Sequence, residues 1–468
     1  MNLFRLLKER EAAGRPLRVA LIGAGKFGSM YLAQARRTPG IHVVAVADLD
    51  IRRARESLSR SGWDEARCRA RSFDQALRSS GTCVTDDALS AISSSAIEIV
   101  IEATGDPAAG IRHALACFRH GKHVVMVNVE ADALAGPLLG RRAREAGVVY
   151  SLAYGDQPAL VCELVDRVRA AGFEVIAAGK GTKYLPAYHD CTPDTVWEHY
   201  GFTPDQVARG DFNARMFNSF LDGTKSAIEM AAVANATGLL PAPGGLAFPP
   251  CGADDLARVL RPRAEGGCLH HRGQVEVVSS LERDGRPVAR DLRWGVFATF
   301  AADHDYVRRC FGEYGLATDE TGNYAAMYRP WHLIGLELGV SVASVGLRGE
   351  PTGSPVGFHG DVAAVAKRDL AEGETLDGEG GYTVWGRLMP ARDSLARGAL
   401  PIGLAHGARL VHRIPKGNIV TWRDVAIQES EAARARREME ALFAPAPAIR
   451  GATSRPDPEP RTLPGRGA

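Results

Sequence analysis

The sequence predicts an α/β protein that opens with a doubly wound parallel sheet, continues into an α+β domain and ends in a small β-rich domain. Three observations carry this. Arg18–Ile22 is an apolar run that enters Gly23-Ala24-Gly25-Lys26-Phe27-Gly28, and a helical stretch then leads to a second apolar run, His42–Ala47, ending in Asp48. Strand-like and helix-like runs then alternate as far as residue 157. Beyond that point the alternation gives way to hairpin-like patterns, and after residue 357 to short strands.

The first unit has the form of a Rossmann dinucleotide fingerprint. Gly23 permits the tight turn, Gly25 lets a pyrophosphate approach the backbone, and Gly28 lets the helix lie close to the strand. Lys26 and Phe27 open that helix, whose N-terminus offers N–H groups to phosphate. Asp48 follows Gly28 at the spacing of about 20 residues expected of a ribose-binding acid. Its carboxylate suits free ribose hydroxyls and favours NAD, whereas Arg52 and Arg53 could pair with a 2′-phosphate and keep NADP open. Arginines there are also common as solvated helix residues.

Composition narrows the class. A charge of +2 over 468 residues gives no field for nucleic acid or a membrane surface, and no apolar run reaches the ~20 residues of a bilayer span. The 8 cysteines show no metal-finger spacing, and no metal-ligand set is assigned. The charged N-terminus is unlike a signal peptide. A cytoplasmic homo-oligomer acting on a small molecule is expected. The length calls for two or three domains, drawn here as 1–157, 158–348 and 357–428, with a disordered tail at 445–468.

In chain order, a short helix covers residues 1–15. The strand 96–104 ends in Thr104-Gly105, and the strand 123–127 ends in Asn128-Val129-Glu130, so these residues fall where nicotinamide and substrate should meet. The competing reading makes Asn128 a turn cap and Glu130 a solvated side chain. A helix over 159–171 leads to a strand over 173–178 and then to Gly179-Lys180-Gly181-Thr182-Lys183, two lysines suited to anion binding or acid catalysis. From residue 224 a helix rich in small apolar residues carries Lys225 and Glu229 one turn apart, with Asp222 just before it. On so apolar a helix these charges need partners or a function.

Residues 274–278 and 294–300 read as the arms of a hairpin turning at Asp284-Gly285, and 328–337 as a return to helix bearing Arg329 and His332. In the last domain, 361–376 and 408–425 repeat a strand–turn–strand pattern, followed by a charged helix over 430–443.

Asn128-Val-Glu-Ala-Asp132, Gly179-Lys-Gly181, Phe220-Leu-Asp-Gly-Thr-Lys225, Glu229–Gly238, Pro330-Trp-His-Leu333 and 361–425 together resemble the homoserine-dehydrogenase-like oxidoreductases that carry a C-terminal SAF domain. That group includes enzymes acting as a 1-deoxy-D-xylulose 5-phosphate reductoisomerase. The resemblance implies an NAD(P)-dependent oxidoreductase with a SAF-like C-terminal domain. Homoserine dehydrogenases carry Ala-Asn-Lys where Val127-Asn128-Val129 stands here, and the NADPH-using relatives lack an acid at the Asp48 position.

The expected chemistry is hydride transfer between nicotinamide and a secondary alcohol or carbonyl of a small polyhydroxylated or carbohydrate-derived substrate. Lys225 is its proton-handling group, its pKa open to lowering by burial, which the adjacent Asp222 and Glu229 oppose. Lys180 and Lys183 hold substrate anions or stabilise the developing alkoxide, and Asp222 and Glu229 orient Lys225, bind substrate hydroxyls or ligate a divalent ion. Reductoisomerase-like chemistry and a dinucleotide-dependent sensor or scaffold remain the alternatives.

Overall fold

The computed structural model describes residues 2–209 and 212–444; the tail assigned to 445–468 lies outside them. Six strands, β1 (Leu17–Ile22), β2 (Ile41–Ala47), β3 (Cys83–Thr85), β4 (Ile99–Glu102), β5 (His123–Met126) and β6 (Tyr150–Leu152), form an all-parallel sheet in the order β3-β2-β1-β4-β5-β6. Their central residues are buried on both faces because helices cover both sides, which is why they read as continuous apolar runs. The order reverses direction at β1, so the cleft lies beyond the strands' C-terminal ends. Gly23, Asp48, Ala103, Val127 and Ala153 follow those ends and form its rim.

The second sheet holds β7 (Glu174–Thr182), β8 (Gln274–Ser279), β9 (Val296–Ala301) and β10 (Tyr324–Arg329), in the order β10-β9-β7-β8. Here the expected hairpin is corrected. β8 and β9 do not pair with each other: β7 lies between them, parallel to β8 and antiparallel to β9. The turn at Asp284-Gly285 belongs to a small loop closed by Glu282 and Arg286, not to a hairpin between two sheet strands. The helices Gln157–Ala170 and Thr224–Thr237 pack on this sheet. The predicted return to helix at 328–337 is also corrected: β10 runs to Arg329, turns follow, and helix begins only at Gly339.

The C-terminal region pairs β11 (Gly360–Ala366) with β12 (Val384–Pro390) and β13 (Arg409–Leu410) with β14 (Val425–Ala426). Bridges Leu370–Ile414 and Thr375–Arg409 join the two repeated segments. Two helices return to the first sheet. Gly339–Arg348 packs on the helix Leu3–Ala12 and on β1, β5 and β6, and Glu431–Phe443 packs on the helices Pro107–Arg119 and Val129–Glu145. The second return is anchored by Arg436, fully buried, whose guanidinium donates to both oxygens of Asp361 at 2.9 and 2.6 Å.

Candidate active site

The cofactor end of the cleft is built from backbone. Gly23 has φ +96°, and a Cβ there would lie 2.5 Å from the carbonyl oxygen of Ala103. A Cβ on Gly28 would lie 2.3 Å from the carbonyl oxygen of Gly23. Both glycines are therefore required by internal packing. Gly25 differs: a Cβ there would meet nothing within 4 Å, so its bare backbone faces open space. It is also the N-cap of the helix Lys26–Ala35, with no side chain capping that end, which leaves the first-turn N–H groups for an anion. This cradle fits a dinucleotide pyrophosphate.

Asp48 is 5% exposed and its carboxylate is engaged within the chain. Oδ2 accepts from Ala24 N at 2.8 Å, Oδ1 accepts from Asp50 N at 2.9 Å, and Arg53 forks onto both oxygens at 3.2 and 2.6 Å. The expected competition between Asp48 and Arg53 is thus a direct ion pair, while Arg52 stays beside Asp50. Asn128 caps the helix Val129–Glu145 through Ala131 N (3.1 Å) and donates to the carbonyl of Asp106 (2.7 Å), fixing the loop that bears Thr104 and Gly105. The capping reading describes its contacts.

Past the ends of β5 and β6 lies a cluster of charged side chains, the second part of the candidate site. Lys180, on β7, is 6% exposed, is ion-paired with Glu229, and donates to Gln157 Oε1 at 2.9 Å. Lys225 is ion-paired with Glu130. Asp156, which caps the helix Gln157–Ala170, lies near enough for the charges of Glu229, Lys225 and Lys180 to act on it. Glu379, from the C-terminal region, accepts from Ser219 Oγ and feels Glu130 and Lys225.

Three expectations about this cluster are corrected. Lys225 and Glu229 do not pair along their helix, because the turn directs one toward Glu130 and the other toward Lys180. Asp222 does not orient Lys225: it is fully buried and ion-paired at 2.8 Å with Lys367, whose ammonium also donates to the carbonyls of Cys191 (2.7 Å) and Gly381 (2.9 Å). The pKa of Lys225 is not depressed either. Burial pulls it down, but Glu130, Glu229, Glu379 and Asp156 pull it up further, and the net direction is upward. Lys225 is therefore held as a cation.

The groups set near neutrality are carboxyls. Burial and Glu229 push Asp156 up to about 7 against the pull of Lys225, and burial and Glu130 push Glu379 up to about 7. Lys183, just past the end of β7, is not ion-paired with any group of the cluster and donates to the carbonyl of His199. His332 has Nδ1 2.7 Å from the Trp294 carbonyl and feels the charges of Glu229 and Lys180. That contact requires Nδ1–H and leaves Nε2 as an acceptor. Burial lowers its pKa.

Sequence reasoning missed Asp156, Gln157, Glu379 and Lys367. A strand-end Gly-Asp-Gln-Pro signal was visible for the first two, whereas nothing local marks the others. A cavity of about 710 Å³ lined by Tyr150, Cys162 and Arg348 contains none of the clustered charges, so convergent chemistry rather than cavity size marks the site.

Residues 17–127 match the family model of the oxidoreductase family's NAD-binding Rossmann fold, and residues 155–338 match that of the catalytic domain of oxidoreductase DRL. No curated protein matches the chain. Among solved structures, a homoserine dehydrogenase from Thiobacillus denitrificans is similar at 19% identity and TM-score 0.31, over 48% of this chain and 50% of that one. A DOX-P reductoisomerase in complex with magnesium is similar at 14% identity and TM-score 0.31, over 46% and 56%. A myo-inositol dehydrogenase from Lactobacillus casei, in complex with NAD(H) and myo-inositol, gives 15% identity and TM-score 0.28 over 39% and 50%. The chain thus spans about half the length of these proteins. An NAD-binding Rossmann fold followed by an oxidoreductase catalytic domain is what these matches show.

Proposed function

We propose that the enzyme transfers hydride between nicotinamide and a secondary alcohol or carbonyl carbon of a polyhydroxylated, carbohydrate-derived substrate. The observation that carries this reading is the pair of lysines, Lys180 and Lys225, each ion-paired with a glutamate where the two domains meet. When bound, the dinucleotide supplies the hydride donor or acceptor.

The residues divide the remaining work. Lys225, held cationic, stabilises negative charge developing on the substrate oxygen, and Lys180 does the same from the sheet side. Asp156, set near neutral pH, takes or gives the hydroxyl proton. Glu229, Glu130 and Gln157 fix the two ammonium groups and leave acceptors for further hydroxyls. Polar groups arrayed around a reacting carbon suit a substrate with several hydroxyls better than a simple alcohol. Homoserine chemistry is disfavoured by Val129, which stands where that activity uses a lysine.

Reductive isomerisation of a ketose phosphate is the second reading, supported by the match to the DRL catalytic domain. The C-terminal region gives Glu379 to the cluster, which favours a catalytic over a scaffolding role. All 8 cysteines are free, in keeping with a reducing cytoplasm. The test is turnover of a polyol, aldonate and sugar-phosphate panel with NAD, NADP and their reduced forms. Tight dinucleotide binding with no turnover of any of them would overturn the proposal in favour of a sensor.

A further inference from the structure

Beside the cluster, Lys183 and Arg293 are half-buried cations with no carboxylate partner among the described residues. Lys183 Nζ lies 5.6 Å from the centre of the Tyr200 ring, and the Arg293 guanidinium carbon lies 5.8 Å from the same centre and 4.7 Å from that of Trp294. Asp291, the nearest acid in sequence, accepts the backbone N–H of Arg293 at 2.9 Å and not its guanidinium. The hydroxyls of Tyr188 and Tyr200 have no hydrogen-bond partner among the described residues. By contrast, the other buried or half-buried cations of this region, Lys180, Lys225, Arg329 and Lys367, each hold a carboxylate.

Two like charges on one aromatic ring repel, and partial burial removes the water that would screen them. Burial and the nearby guanidinium both push the pKa of Lys183 down. The pair also borders the reacting region. Lys183 follows Lys180 at the end of β7, and the carbonyl of Trp294, next in sequence to Arg293, receives Nδ1–H of His332, which feels the charges of Glu229 and Lys180.

We propose that Lys183, Arg293 and the Tyr200 hydroxyl form a subsite for a terminal oxyanion of the substrate, a phosphoryl or carboxylate group carried a few atoms from the reacting carbon. An oxyanion there supplies the counter-charge that neither cation has among the described residues and accepts charge-assisted hydrogen bonds from each. The proposal rests on the hydride-transfer reading only for what occupies the neighbouring cluster.

Its test does not require turnover. Inorganic phosphate and malonate are titrated calorimetrically into the full chain with reduced dinucleotide bound, so that the glycine-loop cradle is already filled. One of the two should bind, phosphate pointing to a phosphorylated substrate and malonate to a sugar acid. Arg293→Gln and Lys183→Gln should each weaken that binding at least ~10-fold, the loss expected for a charge-assisted bond. Arg293→Lys should weaken it less, and melting temperature and dinucleotide affinity should hold throughout. Binding of neither anion to the wild type, or undiminished binding in both glutamine variants, overturns the subsite. Anion binding that depends on both residues while the substrate panel gives no turnover would instead sink the hydride-transfer reading and leave the subsite standing.

Discussion

The cofactor end of the cleft is backbone drawn from one contiguous stretch, whereas the proposed substrate end is side chains drawn from five separate segments. At the first, Gly23 and Gly28 are fixed by contacts a Cβ could not survive, and Gly25 is kept bare toward open space. At the second, Glu130, Asp156, Lys180, the Lys225–Glu229 turn and Glu379 meet only because two sheets and the C-terminal region are docked together. A backbone site tolerates change outside its fingerprint. A convergent ion-pair site is exposed to every element that contributes to it, and its pKa values belong to the assembly rather than to single residues.

The largest expected effect is at the convergent end. Lys225→Met should lower kcat by ~10²–10⁴ with little change in dinucleotide affinity, as for loss of a charge-stabilising or proton-handling group. A variant with near-normal kcat would move that role to Lys180. At the backbone end, Gly25→Val should weaken dinucleotide binding at least ~100-fold in a fluorescence titration, because the side chain fills the phosphate approach. Its melting temperature should barely move, since a Cβ there meets nothing. A destabilised Gly25→Val protein would show that this glycine serves packing, as Gly23 and Gly28 do.

The docking between the ends can be probed through Lys367→Met. Removing the buried partner of Asp222 should cost about 3–5 kcal/mol in denaturant unfolding, because an uncompensated buried carboxylate remains. A loss near zero would mean that the pair is not what holds the C-terminal region in place.

Asp132, fully buried with Tyr150 donating to it at 2.8 Å, is pushed up to about 7 by burial. A carboxyl whose folded pKa is raised keeps its proton longer in the folded than in the unfolded state. Stability therefore falls as pH rises from about 4 through about 7. Asp132→Asn should flatten this slope and raise stability at pH 8 by of order 1 kcal/mol, measured by denaturant unfolding across pH. An unchanged slope would assign the pH dependence to Asp156 or Glu379.

The smallest effect is at the ribose end. Arg53→Ala frees Asp48 and removes a phosphate-pairing cation, so NAD should bind about two- to fivefold tighter and NADP weaker, a modest shift because Arg53 is 57% exposed. Parallel loss of both would make Arg53 a structural brace for Asp48.

Part of this molecule was determined by its sequence alone. Local rules sufficed for the glycine fingerprint with its strand and helix, for the alternation that builds the six-stranded sheet apart from its short edge strand β3, and for the buried helix from Thr224 to Thr237. Each depends on near neighbours in the chain: a positive φ, a period of burial, a run of small apolar residues. Lys180, Lys225, Asp222 and Glu229 were legible as charges that needed partners, because burial without pairing is costly whatever the fold. Their partners were not legible. Gln157, Glu130, Lys367 and Glu379 lie tens to hundreds of positions away, and no local period encodes a contact across domains. The same holds for the order β10-β9-β7-β8, where strand sequence alone suggested a hairpin that β7 interrupts. It holds too for the pKa of Lys225, whose direction is decided by Glu229 on its own helix together with Glu130, Glu379 and Asp156, which only the tertiary structure brings within Coulombic range.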